Sequence, residues 1–472
     1  MSDALKGRIN VLKDFIQNEA VSFGAKDDDY VSRNNTGDEA LKKGGAFFGF
    51  INKGEESSGP YNDFSFVIFP SEKEWLVCLG VGSEGFKNDF ELATRPGLRR
   101  SFSKLVDYKS GFCKSDFSDI ETGLPKFKEQ VPNLKETIKT YEKVLPACQI
   151  INFENEDEGN AKKYISAFLA AYAKLRNWPN NQKQRDAVND ALNSIIKNNN
   201  VNVNNEEEEV KKLIEERKFL IIQGAPGTGK TRLAKKIAKN LSSDSDIFFT
   251  QFHAETSFSD FIYGIQPNIQ ANSLAYIGKE GIFTTALKKA KENSEKKVVL
   301  IIDEINRANL SNVLGPIFYL FEYKQDDSDI EIEISPGLEI KKIPENLYVI
   351  GTMNTADRSL AVVDFALRRR FAWYTLKPKS ISNSNGRFHF HENDFLVIHN
   401  IFDWYAKSEE LVLEPGQGYF ITAGNDDEEI KKRIKYEIYP LIKEYLQEGL
   451  LTSAKEEFNN YFMERINSPI YE

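Results

Sequence analysis

Four regimes of apolar spacing follow one another along the chain. In residues 1–150, Ile9 to Phe23 repeats apolar positions at helical spacing, and a polar, charged stretch covers Asp27 to Asn35. Phe64–Phe69 and Glu74–Gly80 then read as two strands paired across the turn Pro70-Ser-Glu-Lys73. This pattern predicts a small α+β domain. In residues 151–212, an acidic linker from Asn152 to Gly159 leads into helices over Ala161–Trp178 and Gln182–Lys197. The low-complexity run Asn198–Glu209 follows and predicts an exposed loop. From 213 to 378, short apolar runs alternate with helical segments, the pattern of a parallel sheet with crossover helices. Ile330, Ile332 and Ile334, then Ser-Pro-Gly, then Leu338 and Ile340 predict a β-hairpin within it. Residues 379–472 are mostly helical, with Ile430–Leu446 the clearest amphipathic stretch. The fold class is α/β.

Chemistry enters at the ends of the apolar runs. Phe219–Gln223 is followed by Gly224-Ala225-Pro226-Gly227-Thr228-Gly229-Lys230-Thr231, which fits G-x-x-x-x-G-K-[ST], and then by the helical segment Arg232–Lys239. Glycines let main-chain N–H groups and a helix N-terminus close around phosphates. Lys230 reaches the β- and γ-phosphates, the Thr231 hydroxyl ligates Mg²⁺, and Arg232 opens the helix beside them. Strand, glycine loop and helix together imply binding of a nucleoside triphosphate. Val298–Ile302 ends in Asp303 and Glu304, which would hold Mg²⁺ and orient an attacking water, or would simply end a strand in solvent. Leu347–Asn354 puts Asn354 at a strand tip, as a contact to the γ-phosphate or as a turn residue. Arg358 would read phosphate, tie subunits together or form a surface ion pair. Arg368-Arg369-Arg370 closes a helical segment from Ala361 to Leu367, either as a solvated face or as a guanidinium reaching a neighbouring subunit's site.

Composition narrows this reading. The 472 residues are 40% apolar and 12% aromatic, enough for packed cores, and 62 basic against 71 acidic residues leave a net charge of −9. A wholly cationic surface is excluded and a local basic groove is not. Cys78, Cys113 and Cys148 lack metal-ligand spacing and read as reduced thiols, and no apolar run approaches the length of a membrane span. A cytoplasmic protein without membrane contact is expected. No cluster of acidic residues with lysine at nuclease spacing is visible.

Asp303-Glu-Ile-Asn-Arg307, Met353-Asn-Thr-Ala-Asp-Arg-Ser359 and Ala366-Leu-Arg-Arg-Arg-Phe371 together resemble the AAA+ motor of the McrB family, the GTP-hydrolysing subunits of modification-dependent restriction systems. Phe252–Gly264, Gly418-Tyr-Phe420 and Tyr439–Tyr445 add to the resemblance, which covers about residues 213–450. It implies an AAA+ P-loop NTPase with a parallel sheet and helical lid, preceded by the small α+β domain. It also implies a hexameric ring, Mg²⁺-dependent hydrolysis of GTP or ATP, and a separate McrC-like nuclease subunit. On this resemblance Lys230, Thr231, Asp303, Glu304, Asn354 and Arg358 fall on site positions. Asp357 orients Arg358, Arg369 and Arg370 (the latter favoured) act in trans, and His253 reads as a packed histidine. The lid shows no arginine of the kind that contacts nucleotide. The N-terminal domain would read DNA through Arg95, Arg99 and Arg100 with Phe86, Phe90 and Phe102, or fold plainly around a solvated basic turn. Two rival functions stand beside the restriction motor: a MoxR-like ATP-dependent remodeller of protein complexes, and a nucleotide-gated scaffold without turnover.

Overall fold

The computed structural model describes all residues except 1–2, 54–63, 82–95, 115–130, 135–136, 138–140, 142–143, 154–157, 200–205, 269–274, 322–330, 357–364, 382–387 and 472. The chain forms two compact units. Unit 1 holds residues 1–202 and 402–408; unit 2 holds 203–401 and 409–472.

Unit 1 is built on a six-stranded antiparallel sheet of β1 (Tyr30–Asn35), β2 (Phe47–Asn52), β3 (Ser65–Phe69), β4 (Glu74–Gly80), β5 (Gly111–Cys113) and β6 (Ala147–Asn152), in the order β1-β2-β3-β4-β6-β5. The expected pairing of β3 with β4 is present, with Phe69 opposite Leu76 and Ser65 opposite Gly80. Within the polar stretch, Tyr30–Asn35 is a strand. Its exposed, uncharged side chains suit an edge, where one ladder suffices and no core face is demanded. Every residue of β3 is buried, so both faces of the central sheet are covered. Helix Glu158–Leu175 is fully buried from Ala167 to Ala173. Phe102 stacks on Phe64 at 5.5 Å, which makes it core rather than a base-stacking platform. Cys78 lies directly across the ladder from Cys148, and burial pushes the Cys113 thiol up to about 12.

The arginine expected to touch DNA phosphates is committed elsewhere within the same unit. Arg100 donates from Nη2 to the carbonyls of Phe402, Asp403 and Ala406 at 3.2, 2.6 and 2.9 Å, and from Nε to the Asp403 carbonyl at 3.1 Å. These carbonyls close the helix Glu392–Tyr405, so the guanidinium caps a helix C-terminus and meets its dipole. Arg99 is exposed; Arg95, Phe86 and Phe90 lie outside the described residues.

Unit 2 contains a five-stranded all-parallel sheet of β7 (Phe219–Gly224), β8 (Ile247–Gln251), β11 (Val298–Asp303), β14 (Leu347–Asn354) and β15 (Ala372–Thr375), ordered β15-β7-β14-β11-β8. Two antiparallel ribbons interrupt the crossovers. One is β9 (Tyr263–Pro267) with β10 (Tyr276–Glu280); the other is β12 (Ile332–Ser335) with β13 (Leu338–Ile340), the expected hairpin. Ile330 lies outside the described residues. Alternate residues of the central strands enter two separate cores, Leu300 and Ile302 on one face and Val299 and Ile301 on the other. That explains why these strands read as unbroken apolar runs. The run expected to be a loop to Glu209 instead opens the helix Glu206–Arg217. Its four leading glutamates favour the N-terminal end of the dipole, and Val210 and Ile214 are buried. The long amphipathic stretch is a helix, Asp427–Arg433, then one π turn, then the helix Tyr439–Gln447. Among the described residues no helix is long and apolar enough to cross a membrane.

Replacing Arg100 by alanine strands several buried carbonyls and is expected to lower unfolding stability by about 2–3 kcal/mol. Denaturant titration checks this, and a loss below about 0.5 kcal/mol would show the cap to be ornamental.

Candidate functional site

In an open parallel sheet, ligands sit outside the carboxyl ends of the strands. Here the register aligns those ends: Asn354 of β14 lies beside Gly224 of β7, and Ile302 of β11 lies beside Gly351. The three chemistry-bearing segments found in the sequence therefore meet at one edge.

The loop after β7 passes through Gly227 (φ 78°) and Gly229 (φ 90°), left-handed conformations that side chains resist, before the helix Lys230–Leu241 begins. Thr228 Oγ1 donates to the Ala225 carbonyl at 2.8 Å, tightening the turn. Lys230 is buried, and its ammonium donates to the carbonyls of Gly224 and Ala225 at 3.0 and 2.9 Å. Arg232 is exposed on the first helical turn.

Thr231 Oγ1 donates to Asp303 Oδ1 at 2.6 Å. Thr352 Oγ1 donates to the same oxygen, also at 2.6 Å, and accepts from the Glu304 N–H at 3.1 Å. Glu304 turns the chain out of β11 in the left-handed region (φ 54°), and its Oε2 lies 3.5 Å from Arg307 Nε. A hydroxyl and a carboxylate this close form a hard oxygen donor set that suits Mg²⁺. Thr352 escaped the sequence reading. Its signal was its place two residues before Asn354 on the same strand face, the lone aliphatic hydroxyl in an apolar run.

Asn354 is 9% exposed, and Asn306 Nδ2 donates to its carbonyl at 3.4 Å. The Oδ1 atoms of both asparagines are buried with no hydrogen-bond partner among the described residues. Buried acceptors without a partner suit a donor such as a bound water. Asp357 and Arg358 lie outside the described residues. At the end of helix Phe365–Arg370, Arg369 is exposed, while Arg370 is 8% exposed with its guanidinium 4.5 Å from the Phe318 ring centroid. His253 is exposed rather than packed, because the turn His253–Thr256 carries it out of the core. Among the described residues no group of three or more His, Cys, Asp or Glu forms a metal cluster.

A glycine phosphate loop, a paired hydroxyl and carboxylate, and a polar strand tip on this strand order define an AAA+ P-loop domain. Residues 219–371 match the AAA domain family, dynein-related subfamily. The kinship is more specific than that. The "Type IV methyl-directed restriction enzyme EcoKMcrB subunit" of Escherichia coli is 43% identical over 168 residues, 34% of this chain and 36% of that protein. The "Type II restriction enzyme BsuMI component YdiS" of Bacillus subtilis is 29% identical over 195 residues, 33% of this chain and 56% of that one. The chain thus spans well under two thirds of either relative's length, and what it carries is an McrB-like AAA+ domain. A solved structure of NtrX from Brucella abortus is 13% identical over 44% of this chain and 49% of its own, at a TM-score of 0.26 that supports no argument.

Thr352→Val keeps the shape and removes the hydroxyl that ties Asp303 to Glu304. A 10- to 100-fold loss in Mg²⁺-dependent turnover is expected, with the circular dichroism spectrum preserved. Turnover and Mg²⁺ dependence like those of the wild type would show that Asp303 needs no such tether.

Proposed function

We propose that this chain is an NTPase that hydrolyses GTP or ATP with Mg²⁺, serving as the motor and DNA-recognition subunit of a restriction system directed at foreign DNA. The observation that carries the proposal is the relay Thr231–Asp303–Thr352–Glu304, in which Asp303 Oδ1 and Thr352 Oγ1 link the loop helix to the backbone N–H of Glu304. Gly224 to Thr231, with Arg232 beside them, would hold the phosphates. Thr231 and Asp303 would hold Mg²⁺, which when bound neutralises charge on the phosphate oxygens. Glu304 then polarises the attacking water, Asn354 orients it, and Lys230 stabilises the charge that develops. Arg358 reads the γ-phosphate. Arg369 or Arg370 completes a neighbour's site, which requires a ring of copies, most simply a hexamer. The relatives, named as a subunit and a component of restriction enzymes, support partner subunits, among which a McrC-like nuclease is the one proposed, and residues 1–150 are the candidate DNA reader.

Phosphate release from GTP and from ATP, beside Lys230→Ala and Glu304→Gln, is the direct test. Turnover of GTP or ATP abolished by both substitutions is expected, and GTP selectivity favours the restriction motor. ATP-selective turnover moves weight to a protein remodeller, and turnover indifferent to Glu304→Gln rejects the assignment of that residue. DNA binding by the full chain should weaken steeply as salt rises from 50 to 200 mM (~10³-fold if about six phosphates are contacted). Binding without salt dependence, or none, would remove DNA reading from the proposal.

A further inference from the structure

Behind the phosphate loop, within unit 2, lies a segment that neither the loop motif nor the relay explains. Residues 416–420, Gly-Gln-Gly-Tyr-Phe, form a short 3₁₀ turn from Gln417 to Phe420. Three donors from it meet three consecutive carbonyls of the loop. Gly416 N–H donates to Pro226 O at 2.9 Å, Gly418 N–H donates to Gly227 O at 2.9 Å, and Gln417 Nε2 donates to Thr228 O at 2.7 Å. The approach requires glycine: a Cβ on Gly416 would lie 2.2 Å from Gly227 C and Thr228 N, and one on Gly418 would lie 2.8 Å from Gly227 O.

A trans peptide is planar, with its C=O and the next N–H pointing in opposite directions. Holding the carbonyls of 226, 227 and 228 on one side therefore aims the N–H groups of Gly227, Thr228 and Gly229 to the other. Those are amides with which a loop of this kind cradles a phosphate. Of the three, the Thr228 N–H also lies 3.4 Å from the Ala225 carbonyl, a weak contact that a charged acceptor would outcompete.

The strap is itself held. The buried Glu410 accepts from Leu451 N–H at 3.0 Å, and Glu414 Oε1 lies 2.6 Å from His399 Nδ1. Gln417 Oε1 accepts from Lys379 N–H at 3.4 Å, so its amide bridges two backbones. Arg433 Nη1 donates to Gly418 O at 3.0 Å and also to Ile421 O, while its Nη2 pairs with Glu437 at 2.7 Å. Arg433 thus holds the strap's backbone from the following helix.

We infer that the strap Gly416–Phe420 is a positioning element that pre-aims the phosphate-binding amides of Gly227, Thr228 and Gly229 from behind, with Gln417 as its decisive side chain. This rests on the nucleotide-binding reading above. In a site that binds by fixed dipoles, freeing a carbonyl lets its peptide rotate, so the N–H no longer arrives pre-aligned.

The test uses the full chain with Gln417→Ala and the near-isosteric Gln417→Met, titrated with Mg²⁺ and fluorescent mant derivatives of nucleoside mono- and diphosphates. Hydrogen exchange of residues 415–420 is followed in parallel. The expected result is a rise of about tenfold in Kd for the diphosphate, a rise under twofold for the monophosphate, and faster exchange at the amides of 416 and 418. An equal loss for both nucleotides would show general loosening, and an unchanged diphosphate Kd with faster exchange would show plain packing; either overturns the inference. If Gln417→Ala fails to fold, Gln417→Met carries the reading. A wild type that binds neither nucleotide fails the functional proposal itself, an outcome distinct from failure of the strap alone.

Discussion

Two hydroxyls converge on one carboxylate oxygen, and much of unit 2 exists to make that meeting possible. Asp303 Oδ1 receives Thr231 from the first turn of the loop helix and Thr352 from the neighbouring strand, each at 2.6 Å. A buried carboxylate must be satisfied by donors or become costly. The oxygen is served from two elements more than 70 and nearly 50 residues away in sequence, so helix, β11 and β14 must all be seated before it is. Thr352 then accepts from the Glu304 N–H, which sets the direction in which the chain leaves β11. Placement of Glu304 is a consequence of satisfying its neighbour.

The sheet makes this geometry rigid. Parallel strands with apolar residues on both faces give β11 no freedom to slide, since a shift by one residue would exchange the two cores wholesale. Leu300 and Ile302 sit against Phe283, Ile305 and Val313, while Val299 and Ile301 sit against Ala234 and Ile237 of the loop helix. The polar edge thus inherits its precision from apolar packing beneath it. That is also why polar residues are found only where β11 and β14 end.

Legibility in the sequence followed the same division. Features fixed by local pattern were readable: the glycine loop, the apolar runs, the hairpin at Ile332–Ile340, and the helices after Glu158 and Gln182. Features fixed by tertiary partners were not. The strand Tyr30–Asn35 has no apolar alternation because an edge strand needs only one ladder, and Glu206–Glu209 read as low complexity although they lead a helix anchored by Val210 and Ile214. Arg100 looked like a phosphate ligand because an arginine beside a Gly-containing turn is electrostatically ambiguous until its acceptors are known. Those acceptors are carbonyls some 300 residues onward. Gln417 was silent for a related reason: it acts on a backbone atom of another segment, and no spacing rule reports such a contact.

The two unpartnered amide oxygens, on Asn354 and Asn306, complete the chemistry. Leaving a buried acceptor unserved costs on the order of 1–3 kcal/mol, so two of them in adjoining residues are not a neutral feature of packing. A metal ion or phosphate would recruit different groups: the Thr231–Asp303 pair and the Lys230 ammonium supply those needs a few residues away. A cation meets stronger ligands at the Thr231–Asp303 pair, and amide oxygens do not attract an anion. What they suit is a neutral donor, and in a site read as hydrolytic the neutral donor is water. On the hydrolytic reading proposed above, the Oδ1 atoms of Asn306 and Asn354 would receive a water's hydrogens.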